Sequence, residues 1–122
     1  MPGGWYSAPM PRAPSTCPHA ATFRKLVNMS PAQIRAWARN PLARCYSFDA
    51  TRARLPALAD LRAKPPAQWT AADCRRAARV VNFNSRFLGM RRQHGCTPGI
   101  VIALRNWGHA PRGCSTPRTC RG

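Results

Sequence analysis

WTAADCRRAARVVNFNSRFLGMRRQHG, residues 69–95, reads as one long amphipathic helix with its start written into the chain. Thr70, followed three residues later by Asp73, forms a capping box, in which each side chain satisfies a backbone N–H of the other. Trp69 and Cys74 occupy the positions of a hydrophobic staple, which places Cys74 in the core. The helix is expected to run to Leu88 and at its longest to Gln93, with Gly89 a weak point and Gly95 a terminator.

At about 100° per residue this helix separates into two faces. With Arg75 as origin, Arg86 falls at about 20°, Arg79 at about 40° and Asn82 at about 340°. Ala77, Val80, Val81, Phe87 and Leu88 fall between about 120° and 240° and mark the buried side. Arg75, Arg79 and Arg86 thus share a stripe about three turns long, flanked by Arg76, Arg91 and Arg92. A row of guanidiniums can follow a phosphate backbone or lie in a major groove. A merely solvated face is the commoner fate of surface arginine, but no glutamate exists here to pair with it. Asn84 falls in the apolar face, where a buried amide demands hydrogen-bond partners. The simplest role for it is tying down a loop or a neighbouring helix end.

Outward from this helix, three more carry helical signals. Residues 31–39 begin at Ser30 with Pro31 in the first position and Gln33 completing a capping box, and end at Asn40-Pro41. Residues 23–27 add a short turn before it. Residues 50–63 follow Asp49 as a cap and place Leu55, Leu58 and Leu61 on one face, with Pro56 expected to kink the helix or delay its start. Lys64-Pro65-Pro66 stops it. Residues 98–107 are capped by Thr97, start on Pro98 and stop at Gly108 in a left-handed conformation. No convincing strand period occurs. The expected fold is all-α, a small bundle of about four helices over residues 22–108. Trp37, Leu58, Leu61, Val80, Val81, Phe87, Leu88, Ile100, Leu104 and Trp107 form its predicted core. Extended Pro- and Arg-rich arms flank it: residues 1–21, with Trp5, Tyr6 and Met10 as sticky points, and the basic residues 109–122.

Charge narrows the functional classes. Twenty Lys+Arg face three acids (Asp49, Asp60 and Asp73), for a net charge of +17 in 122 residues. Such a surface attracts polyanions: DNA or RNA most simply, an acidic protein or an anionic membrane face by the same physics. The cations are 18 arginines and two lysines, Lys25 and Lys64. Planar guanidinium grips phosphate with paired hydrogen bonds, which favours nucleic acid. GC-rich codons also produce arginine, alanine and proline, so the absence of glutamate weighs more. Net charge is +3 over residues 1–28, +5 over 29–68, +6 over 69–108 and +3 over 109–122. Charge so widely spread, with Arg35 and Arg39 on the first helix and Arg52, Arg54 and Arg62 on the second, describes a protein embedded among polyanions better than a reader of one short site.

No apolar run approaches the ~20 residues of a membrane span. Residues 1–21 hold no apolar signal core, and their prolines oppose the amphipathic helix of a transit peptide. The six cysteines (Cys17, Cys45, Cys74, Cys96, Cys114 and Cys120) are on this reading reduced thiols of an intracellular or particle-packaged protein, an extracellular disulfide framework being the less favoured alternative. Cys17 with His19, His94 with Cys96, and His109 with Cys114 and Cys120 offer zinc-type donors, but no spacing typical of a zinc site. Three acids and three scattered histidines leave few groups for acid–base catalysis, and no phosphate loop or nucleophile elbow occurs. The expectation is a non-enzymatic, cofactor-free, largely sequence-independent binder of DNA or RNA, a structural or packaging component of a nucleoprotein assembly. Arg75, Arg79, Arg86, Arg76, Arg91, Arg92, Arg35 and Arg39 are its candidate contacts. The alternative is a protein–protein cement or scaffold subunit of a virion or ribosome, meeting acidic subunits.

Overall fold

The computed structural model describes residues 17–46 and 50–122, with residues 50–52 described by backbone alone. The expected cap Asp49, the Arg52 side chain and the sticky points Trp5, Tyr6 and Met10 lie outside the described residues. All regular structure among the described residues is helical: α1 (Ala20–Leu26), α2 (Pro31–Ala38), α3 (Ala50–Ala63), α4 (Ala71–His94) and α5 (Pro98–Arg105). Short 3₁₀ turns sit at Pro41–Arg44 and Pro66–Gln68. None of the described helices is long and apolar enough to cross a membrane.

The helix starts follow from local chemistry. Ser30 Oγ accepts from Gln33 N at 3.1 Å while Gln33 Oε1 accepts from Ser30 N at 2.8 Å. Thr70 and Asp73 make the same reciprocal pair at 3.1 and 2.9 Å. Thr97 Oγ1 accepts from Ile100 N at 3.2 Å. At the far ends, Gly95 and Gly108 adopt φ of 78° and 80°. Helix α4 passes through Gly89 unbroken, and α3 spans Pro56. Satisfied helix interiors on both sides outweigh a single poor propensity.

Among the described residues five helices stand where about four were expected. The addition is α1, read from the sequence as no more than a turn, whose Phe23 is fully buried and meets Trp69 edge-on at 5.3 Å. Helix α1 packs on α4, α2 on α3, and α5 on α4. The core gathers Phe23, Val27, Ile34, Trp37, Leu55, Leu58, Leu61, Val80 and Ile102, with Leu104 also fully buried. Val81, Phe87 and Leu88 are only half-buried, because the last turns of α4 run along the edge of the core.

The cysteines correct the sequence reading: they are disulfides, and none of the six is a free thiol. Cys17 joins Cys74, Cys45 joins Cys120 and Cys96 joins Cys114, with Cα separations of 5.7, 5.5 and 5.6 Å. These separations suit the bond. Cys74 therefore holds the chain entering α1 instead of acting as an apolar staple. Residues 109–122 carry no helix, yet they are fastened to the core. Two of the three disulfides end there, Asn28 and Ala110 exchange hydrogen bonds of 2.9 and 2.7 Å, and Tyr46 donates its hydroxyl proton to the Cys120 carbonyl.

Candidate functional site

Helix α4 presents Arg75, Arg76, Arg79, Arg86 and Arg92 to solvent. Its buried side rests on Ala77, Val80 and Asn84, so the orientation that exposes the arginines is set by the apolar face. Asn84 has no exposed surface, and its Nδ2 donates to the Trp107 carbonyl at 3.0 Å, just past the end of α5. The buried amide ties a helix end, the role its position in the sequence implied.

Not every candidate arginine belongs to this face. Arg91 turns to the C-terminal segment and donates to the Arg112 carbonyl. Arg35, on α2, is ion-paired with Asp60 of α3. Arg39 is exposed at the C-terminal end of α2 and lines no part of the groove described next. The other described acid, Asp73, is taken by Lys64 at 2.8 Å. This hydrogen bond, then that from the Thr70 backbone, holds the Asp73 carboxyl below its ordinary pKa. Asp60 and Asp73 are thus both engaged, and among the described residues no acid pairs with Arg75, Arg76, Arg79, Arg86 or Arg92.

Between α3 and α4 lies an open groove of about 600 Å³. Its floor is apolar, with Ala57, Leu58, Val80, Phe83 and Trp107, and Arg54, Arg76 and Arg79 line it as well. The Phe83 and Trp107 rings stack 4.3 Å apart and 7° from parallel, and the Arg54 guanidinium sits 4.0 Å from the Trp107 ring centroid. Phe87 continues the aromatic row 6.4 Å beyond Phe83. Arg54 Nε is buried without a hydrogen-bond partner among the described residues. Burial lowers the Arg54 pKa. Guanidinium tolerates this position because it is weakly hydrated and stacks on an aromatic face.

The sequence reading placed Arg54 on a helix and Trp107 in the core, but not the groove that joins them. The available signal was Phe83, which at about 80° on the α4 wheel falls between Arg79 and Arg76. A second arginine–tryptophan pair, Arg105 at 5.4 Å from the Trp37 ring, is also part-buried and lowered in pKa by burial. The zinc-type donors do not assemble: every cysteine sulfur is in a disulfide, His109 Nδ1 lies 2.6 Å from the Leu26 carbonyl, and no group of three metal-binding side chains occurs among the described residues. No known family model, curated protein or solved structure matches this chain.

Proposed function

We propose that this protein is a non-enzymatic, largely sequence-independent binder of nucleic acid, acting as a structural or packaging component of a nucleoprotein assembly. One observation carries the reading. Both described acids are engaged by Arg35 and Lys64, which leaves Arg75, Arg76, Arg79, Arg86 and Arg92 of α4 as an exposed cationic face with no protein counter-charge among the described residues. Such a face is costly through self-repulsion and is relieved by a polyanion. Arg112, Arg118 and Arg121, fastened to the core by the C-terminal disulfides, add a second basic surface.

The disulfides bear on where this happens. Three bonds in 122 residues suit an oxidising setting or the surface of a particle, so the intracellular placement loses the support that reduced thiols gave it. The same stapling favours a second reading, a cement subunit of a large assembly whose arginines meet acidic subunits. Purification through nuclease and high-salt washes separates the two. Nucleic acid that co-purifies until high salt, followed by salt-dependent affinity for DNA or RNA, supports the first. Clean protein retained on an acidic subunit, with no salt-sensitive affinity for nucleic acid, replaces it with the second.

A further inference from the structure

We propose that the groove between α3 and α4 receives one unpaired nucleotide of a single strand, its base beside Ala57 and the Arg54–Trp107 stack and its phosphate between Arg76 and Arg79. This rests on the nucleic-acid reading and specifies it: the preferred partner is single-stranded.

Three features converge on that occupant. The groove is concave and apolar-floored, and its volume of about 600 Å³ lies in the range of small-ligand sites, about 300–1,000 Å³. An apolar recess of this kind has no use for phosphate alone, and a duplex keeps its bases stacked away from it. Arg54 supplies a flat platform. Its guanidinium already lies on Trp107, which in turn lies on Phe83, and unstacked bases are commonly held on guanidinium planes in such columns. Charge completes the match. Arg54, Arg76 and Arg79 meet in one groove with no acidic residue in its lining. A phosphate held at the same groove also offsets, by its charge, the desolvation that lowers the Arg54 pKa.

Electrostatics alone predicts the opposite preference, because duplex DNA is the denser polyanion and releases more counterions per contact. The test is therefore to titrate the full chain against a labelled single strand of about twelve nucleotides and against the duplex of that sequence. Three proteins are compared: wild type, Ala57→Leu and Arg54→Lys. Leucine fills the groove without changing charge or helix propensity. Lysine keeps the charge and removes the plane.

The expected result is that wild type binds the single strand about tenfold or more tightly than the duplex. Each variant that keeps its helicity loses that preference while its duplex affinity and salt slope stay unchanged. Ultraviolet crosslinking of the wild-type single-strand complex should also place the adduct on the peptides carrying Arg54, Phe83 or Trp107, a readout that needs no variant to fold. Duplex binding equal to or tighter than single-strand binding overturns the groove proposal and leaves the general reading standing. A single-strand preference retained by folded variants, or crosslinked only elsewhere, also overturns it. No salt-sensitive affinity for either probe removes the nucleic-acid reading itself.

Discussion

The rings of Phe83 and Trp107 lie face to face 4.3 Å apart, although 24 residues separate them in the chain. The contact is held from both sides. Asn84, the next residue on α4, donates to the Trp107 carbonyl at 3.0 Å, and the Arg54 guanidinium covers the indole at 4.0 Å from its centroid. One helix end, one aromatic pair and one cation thus fix the wall of the groove between α3 and α4. Replacing Asn84 with alanine leaves the Trp107 carbonyl buried without its donor and should cost about 1–3 kcal/mol. Denaturant melts measure the loss, and the near-ultraviolet circular dichroism of the stacked tryptophan should weaken with it. A melt unchanged within error would show that the carbonyl finds another donor.

The disulfides make a chemical prediction. In denaturant without reductant, a thiol reagent should titrate none of the six cysteines; after reduction it should titrate all six. The bonds span 57, 75 and 18 residues, and treated singly each is worth about 3–4 kcal/mol. Helicity should fall with reductant and survive a chelator. Loss under chelator alone would point to a metal instead.

Gly108 is predicted to be the least replaceable of the described glycines. It stops the chain after α5 at φ 80°, and a Cβ there would stand 2.8 Å from Val27 Cγ1 and 3.0 Å from Leu58 Cδ2. Both neighbours are buried, so neither can swing away into solvent. Gly108→Ala should lose about 2–4 kcal/mol, from left-handed strain and overpacking together. Gly95 has open space around it but, at φ 78° and ψ −162°, sits in backbone that only glycine adopts easily, so Gly95→Ala should cost about 1–3 kcal/mol from strain alone, without the added clash.

The capping box of α4 should appear in the acid limb of stability. The Lys64 hydrogen bond first, then the Thr70 backbone bond, keeps the Asp73 pKa below its ordinary 3.8. A carboxylate with a depressed folded pKa adds stability that is complete above the unfolded value and lost as pH falls through the folded one. Stability should therefore decline below about pH 4. Asp73→Asn should flatten that decline in melts taken across the acid range. Thr70→Ala, which removes the other half of the box, should cost about 1 kcal/mol at neutral pH. A change within error would mean that the first turn of α4 is held by its neighbours instead.

Charge removal from α4 tests the proposed interface. Arg75, Arg79 and Arg86 changed together to glutamine should lower the magnitude of the log K against log salt slope for duplex DNA by about 2.7. Helicity should persist because glutamine is a good helix former. A matched variant of Arg112, Arg118 and Arg121 should lose less. Should the second variant lose the slope and the first keep it, the α4 arginines are a solvated face and the C-terminal segment does the binding.

Local chemistry was legible in the chain itself. A capping box needs only residues three apart, so Ser30 with Gln33 and Thr70 with Asp73 announced α2 and α4 before any packing was known. The helical period assigned Leu55, Leu58 and Leu61 to one buried face, and composition alone fixed the net charge of +17. Tertiary structure decided whatever depends on residues distant in the chain. The helix α1 is stable because Phe23 meets Trp69, a contact that no short-range rule contains. Cysteine pairing is a matter of Cα separations near 5.6 Å between residues 18 to 75 apart, which the folded backbone alone supplies. The groove needed the same closure. Arg54, Phe83 and Trp107 lie on three separate segments, and only the folded chain, with α3 laid on α2 and α5 on α4, brings a cation and two rings into one column.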